Sequence, residues 1–386
     1  MQGGFLDGAG IQKVRNRLYL LGKISLVCSQ ALAIADFREC ARLRAWMQDE
    51  PWASAGFQWR MEGATSSEAS SSLSMTSLTI SAIICTHNRE AYLGAAIDSL
   101  LEQDAEEFEV VVVDNASCDR TREVVEARLP HPRLKYIYES EVGLSVARNR
   151  GVRESTGEIL AYLDDDAVAS PQWLRILINA YESNEKLAIA GGKVTLLWPP
   201  GIAPPGWISD NMAGALGLYD LGADIVNIQQ PGLTPRGLNY SIRRTFLNGI
   251  GGFDVNLGRV GTRLLSNEEL QTTERALEMG WQVAYLPEAL VAHNVAPERV
   301  NPAWFLKRSW WQGVSECYRE QLAGRAGLRQ FGAAGERIAR GLYKSVKHFT
   351  DPAQRFENFL YAYSQIGYLG SALRGMIAPP AWMKRS

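Results

Sequence analysis

Residues 159–174 read ILAYLDDDAVASPQWL, and this stretch decides the fold. A strand-forming apolar run, Ile159 to Leu163, stops at three consecutive carboxylates, Asp164, Asp165 and Asp166. The pattern then predicts a loop, Ser170 as N-cap, Pro171 in the first helical turn, and a helix from Gln172 to about Ser183. Trp173, Leu174, Leu177 and Ile178 share one face of that helix. Three adjacent aspartates repel one another unless a cation sits among them. At the end of a buried strand they match the oxygen ligands of a hard divalent metal, whereas the plain alternative is a solvated acidic turn.

The flanking sequence repeats the same grammar. Residues 79–85 (TISAIIC), 108–114 (FEVVVVD) and 134–138 (LKYIY) read as strands, and 91–101, 122–129 and 143–156 as helical or loop-to-helix segments. Strand alternating with helix at this interval predicts βαβ units and a mostly parallel sheet. Ligands of such sheets bind outside the carboxyl ends of the strands. At those ends stand Thr86, His87, Asn88 and Arg89, then Asp114 and Asn115, then Arg148 and Asn149 beyond Gly143, then the three aspartates. A polar edge on an apolar sheet is a site prediction.

There is no G-x-G-x-x-G after the first strand, so a dinucleotide-binding reading loses its main support, and no G-x-x-x-x-G-K-[ST], which removes the P-loop reading. GIGGF at 249–253 reads as a turn. Phosphate must then be held by a cation, and Mg²⁺ or Mn²⁺ bridging a diphosphate suits Asp164 and Asp166. Asp114 can accept a hydrogen bond from a base or ribose, and Arg148 can donate to a base carbonyl or a phosphate.

CTHNRE, VVVDNASCDRT, GLSVARNRGV and LAYLDDDAVASPQWL, in that order, resemble the family-2 glycosyltransferases of the GT-A fold, over about residues 78–295. The resemblance implies an α/β Rossmann-like sheet flanked by helices, and inverting transfer of a sugar from a nucleotide diphosphate sugar, a UDP-sugar first, with Mn²⁺ or Mg²⁺. It implies that Thr86, Asn88, Arg89, Asp114 and Arg148 line the nucleoside pocket, that Asp164 approaches the ribose or the metal, and that Asp166 binds the metal. Asp165 is either a further contact or a residue that holds the turn. The segment 237–254 resembles the family's Asn-containing strand followed by paired arginines and Gly-Gly-Phe-Asp. Family members usually carry Glu-Asp and then an Arg seven residues after the Glu. Here the matching residues are Glu268, Glu269 and Arg275, so the second acid is one methylene longer. Glu269 is the expected general base, with Glu268 the alternative. The bland reading is an acidic helix start favoured by the dipole and capped by Ser266 or Asn267. His293 matches a His that joins the metal or diphosphate in many relatives. Trp281 and the Pro/Gly-rich loop 197–211 are open to sugar stacking or to core packing.

Composition sets the frame. The 386 residues are 46% apolar and 21% charged, ordinary values for a globular chain. The net charge of -2 hides an asymmetry, because residues 301–386 hold thirteen Lys/Arg against five Asp/Glu. A basic helical C-terminal region on an acidic body points to an anionic neighbour or to solvated helix faces. Five scattered cysteines support neither a disulfide framework nor a zinc site and fit a reducing compartment. No uninterrupted apolar run is long enough for a membrane span, and the broken core of residues 13–33 argues against a signal peptide.

Three regions are therefore expected: 1–77, an N-terminal extension with a Ser-rich linker; 78–300, the catalytic domain; and 301–386, the basic helices. Met75, just ahead of the first confident strand, is a candidate native start. The expected setting is cytoplasmic, with a glycan or lipid-linked acceptor and no nucleic acid. The C-terminal helices offer peripheral membrane contact or homodimerisation. Two other readings stand beside transfer. One is a catalytically silent sugar-nucleotide binder. The other is a nucleotidyltransferase, which would normally show a Gly-rich, Arg-containing loop after the first strand.

Overall fold

The structure, a computed structural model, describes residues 78–261, 263–325 and 328–377. The expected extension 1–77 and the candidate start at Met75 lie outside the described residues. Strands β1 (Ile80–Thr86), β2 (Phe108–Asn115), β3 (Leu134–Glu139) and β4 (Ile159–Asp164) form the parallel half of one sheet. β5 (Ala167–Ala169), β6 (Leu187–Leu197), β7 (Val226–Asn227), β8 (Asn239–Arg243) and β9 (Gln282–Asn294) complete it. The order is β3-β2-β1-β4-β8-β6-β9-β5, with β7 beside β9. β8 runs antiparallel to both neighbours, and β5 and β7 are antiparallel to β9.

Register places the polar edge. Thr86 lies opposite Asp114, Cys85 opposite Asp164, and Asn115 opposite Glu139, so these strands end level with one another. The interiors of β1, β2 and β4 are mostly Val, Ile, Leu and Ala at almost no exposure, as strands covered on both faces require, whereas β3 at the sheet edge leaves Lys135 and Tyr138 exposed.

Helices α1 (Glu90–Leu101), α2 (Thr121–Glu126), α3 (Leu144–Glu154) and α4 (Trp173–Glu182) cover the parallel half. α1 buries Leu93, Ala96, Ile97 and Leu100, a stripe of helical period. Gly151 lets α3 lie directly on β1, since a Cβ there would stand 2.7 Å from Ile83 Cγ2. α4 starts at Trp173, after the expected cap. Gln103, just beyond the end of α1, supplies the partners instead: its amide donates to the Ser170 carbonyl at 2.8 Å and its oxygen accepts from Leu174 N at 2.9 Å. A side chain far away in sequence thus does what Ser170 was expected to do.

α5 (Asp210–Ala213), α6 (Arg244–Gly249) and α7 (Glu268–Glu278) belong to the second half. Asn267 does occupy the N-cap of α7, but at φ 84 and with no side-chain cap bond. Its amide oxygen accepts from Gln312 Nε2 at 3.1 Å. The paired arginines are braces. Arg243 bonds the Leu187, Tyr181 and Asn184 carbonyls, and Arg244 bonds those of Gly157 and Val152. Asn239 ties α4 to β9, accepting from Trp173 Nε1 at 2.9 Å and donating to the Ala289 carbonyl at 2.7 Å. Trp281 packs beside Phe246 at 5.7 Å, and Trp207 packs on Phe305 and Phe356. Core packing, not sugar stacking, accounts for both.

The C-terminal helices are α8 (Pro302–Leu322), α9 (Leu328–Lys347) and α10 (Pro352–Ile377). Asn301 caps α8, accepting from Trp304 N at 2.9 Å. Among the described residues no helix is long and apolar enough to cross a membrane.

Candidate active site

Two cavities open side by side at the carboxyl edge of the sheet. The first, ≈ 330 Å³, lies between Thr86, His87 and Arg89 after β1, Asn115 after β2, Gly143 and Leu144 at the start of α3, and Asp164–Asp166 after β4. The second, ≈ 360 Å³, is bounded by Arg148, the 234–238 segment, Asn267–Leu270, His293 and Gln312. Asp164, Arg259, Arg299 and Arg308 line both, so they form the shared wall. α8 supplies Trp304 to the first cavity and Arg308 to both, so the site extends beyond residue 300.

The three aspartates are not equivalent. Asp166 is 3% exposed; its Oδ1 meets His293 Nε2 at 3.1 Å and its Oδ2 accepts from Arg299 Nη2 at 3.1 Å, with Arg89 Nη2 at 3.8 Å. Burial works to raise its pKa, but the His293 bond and the Arg299 and Arg89 charges outweigh it and hold the carboxyl well below the usual range. Asp164 and Asp165 are half-buried and face the first cavity without an ion pair among the described residues. Burial and the neighbouring Asp166 charge raise both carboxyls, Asp165 to about 7. Asp164 and Asp165 are hard oxygen donors left free to meet a cation, whereas Asp166 already has Arg299 and His293, and no group of three or more His, Cys, Asp or Glu placed to hold a metal ion occurs among the described residues. Arg299 now supplies the positive charge that Asp166 needs. His293 has its Nε2 committed to Asp166, while its Nδ1 is buried without a partner, so as placed it orients Asp166.

The nucleoside-side residues divide. Thr86 and Arg89 line the first cavity. Asn88, at φ 54, accepts from Cys118 N at 2.8 Å and braces the loops after β1 and β2. Asp114 uses one oxygen on the Tyr136 hydroxyl at 2.7 Å and the other on Ser117 N at 3.0 Å, behind the cavity wall. Asn115 holds the far rim, accepting from Gly143 N at 2.8 Å. Cys85 also lines the cavity, but burial pushes its thiol up to about 12, which leaves it protonated and inert.

Arg148 stands in the second cavity, beneath the glutamate pair. It is 3% exposed, with Nη1 3.1 Å from Glu268 Oε1 and Nη2 2.9 Å from Glu269 Oε1. Its guanidinium also lies 5.6 Å from the Tyr162 ring centroid and 5.5 Å from that of Phe253. Glu268 is buried with Oε2 unpartnered, and burial followed by the Glu269 charge raises it to about 7. Glu269 keeps 16% of its side chain exposed and commits one oxygen to Arg148. Gly237 sits against both, because a Cβ there would run into Glu269 Oε1 and Arg148 Nη2.

Residues 81–201 match the family model described as glycosyl transferase family 2. The glucosyl-dolichyl phosphate glucuronosyltransferase of Haloferax volcanii is 28% identical over 247 residues, covering 63% of this chain and 78% of that protein. Over residues 81–201 the chain is similar to the family-2 glycosyltransferases. The chain is also 27% identical over 301 residues to the succinoglycan biosynthesis protein ExoM of Rhizobium meliloti, covering 75% of this chain and 91% of that one. Among solved structures, mannosyltransferase PcManGT from Pyrobaculum calidifontis, in complex with GDP-Man and Mn²⁺, aligns at a TM-score of 0.47 with 21% identity. That alignment covers 78% of this chain and 75% of that one.

Sequence reasoning missed Gly237 and the arginines 236, 259, 299 and 308. The arginines lie in loops or on a helix with no periodic or motif signal, Gly237 is only the first residue of the 237–254 segment, and folding brings all five to the second cavity. The family match ends at residue 201, ahead of all of them.

Proposed function

We propose that this glycosyltransferase moves a sugar from a nucleoside diphosphate sugar, a UDP-sugar first, seated in the first cavity, to an acceptor hydroxyl in the second, with inversion at the sugar carbon. The observation that carries the reading is the shared wall. Asp164 belongs to both cavities, so a diphosphate gathered at the aspartates stands next to the chamber that holds Glu268 and Glu269.

Asp164 and Asp166 would hold Mn²⁺ or Mg²⁺, which when bound offsets charge developing on the departing diphosphate. His293 and Arg299 keep Asp166 oriented. Glu269 is the general base: it is the more exposed of the pair and has an oxygen to spare for the acceptor hydroxyl. Glu268 positions Arg148, which fixes the Glu269 carboxylate in turn.

The same reading includes contact with an anionic lipid surface through the end of α9. Tyr343, Val346 and Phe349 are 67%, 75% and 69% exposed there, with Lys344 and Lys347 among them. Apolar side chains ringed by lysines suit a bilayer interface, where a lipid-linked acceptor would be met.

Thermal shift with a panel of nucleoside diphosphate sugars tests the donor site. A donor present at 100 times its Kd stabilises the fold by about 2.7 kcal/mol. That gain should appear with Mn²⁺, fall sharply in EDTA, and be lost in Asp164→Asn. Equal stabilisation with and without metal would contradict the metal role.

A further inference from the structure

The second cavity carries more positive charge than its own carboxylates use. Five guanidiniums line it against three carboxylates, Asp164, Glu268 and Glu269. Arg148 is committed to the two glutamates and Arg299 to Asp166. Arg236 and Arg308 have no carboxylate within salt-bridge distance among the described residues.

Both are half-buried, and each holds a buried nitrogen without a partner, Nε of Arg236 and Nη1 of Arg308. Arg236 lies over the Tyr219 ring at 5.3 Å, and Arg308 reaches Ser266 Oγ only at 3.4 Å. Burial, followed by Arg259 repulsion, lowers Arg308 to about 10, and Arg236 adds to that repulsion. The Glu269 charge acts on both arginines without pairing with either. Charges withdrawn from water without a partner are costly, and a guanidinium fork matches a phosphate or carboxylate.

We propose that the second cavity seats its acceptor by an anionic group, a phosphate or a carboxylate, held by Arg236 and Arg308, which line the same cavity as Glu269. The donor diphosphate is the poorer occupant, because Arg236 lines the second cavity and not the first. Anchoring the anion there would bring a nearby acceptor hydroxyl to the base. The proposal rests on reading this cavity as the acceptor site.

The test uses the full chain and two probes, inorganic phosphate followed by ³¹P line width and acetate followed by ¹H line width. At least one probe should bind the wild type. Arg236→Gln and Arg308→Gln should each weaken it about tenfold or more. Arg236→Lys should restore part of the loss, and saturating UDP should leave the probe bound. Melting curves on the same samples separate loss of the seat from loss of the fold. No binding of either probe, unchanged affinity in both glutamine variants, or displacement by UDP would overturn the proposal. Because the probes need no donor, the result stands apart from failure of the donor reading.

Discussion

Replacing Arg148 with methionine keeps most of the side-chain volume but removes the guanidinium that Glu268 and Glu269 both bind, at 3.1 and 2.9 Å. Truncating one partner of a buried pair costs about 3–5 kcal/mol, because the other charge is left in low dielectric. The cost depends on pH. Glu268 has its folded pKa at about 7, above the ordinary glutamate value of 4.5. A carboxyl raised in this way contributes stability that is fully present below its unfolded pKa and lost as pH rises through about 7, a swing of about 3 kcal/mol. Without Arg148 the folded pKa moves higher still, so protonation at acid pH discharges the stranded pair. Arg148→Met should therefore lose about 3–5 kcal/mol near pH 8.5 and clearly less near pH 5.5. Urea denaturation followed by tryptophan fluorescence at both pH values measures this. The double variant Arg148→Met/Glu268→Gln should recover part of the loss at the higher pH. A loss below about 1 kcal/mol, the same at both pH values, would refute the buried-pair account.

Two further outcomes follow from the same geometry. Gly237→Ala places a methyl against Glu269 and Arg148, so transfer should fall at least about tenfold while donor affinity holds and stability drops by about 1–3 kcal/mol; steady-state kinetics and melting curves check this. Val346→Asp with Phe349→Asp should abolish co-sedimentation with vesicles of anionic lipid, and Lys344→Gln with Lys347→Gln should weaken it by about 1 kcal/mol per charge; wild-type protein that stays in the supernatant would remove the membrane reading.

Much of the parallel half is legible because its information is local. Runs such as VVVVD at 110–114 and ILAYLD at 159–164 end within a residue or so of β2 and β4. The aspartates at the end of β4 likewise mark the site edge through residue order alone. The failures have a common cause, side chains supplied from afar. Gln103 caps α4 in place of Ser170, and Gln312 draws the Asn267 side chain away from α7. β5 is three residues long and exists through its pairing with β9, so no alternation could reveal it. Arg148 follows Gly143 by five residues, which points it toward the nucleoside. The buried glutamates, 120 and 121 residues later, hold it in the second cavity instead. The arginine wall is illegible for the same reason, since its members come from the 234–238 segment, a loop after α6, the turn after β9 and α8.

The central claim is that Glu269 is the base of a sugar transfer between the two cavities. Release of nucleoside diphosphate from the stabilising donor, compared between wild type and Glu269→Gln with donor affinity measured in parallel, tests it most directly. The account predicts that wild type turns over, that Glu269→Gln is slower by about 10²–10⁴-fold, and that donor affinity is unchanged. Equal turnover in the two proteins, or binding without turnover in both, would contradict it.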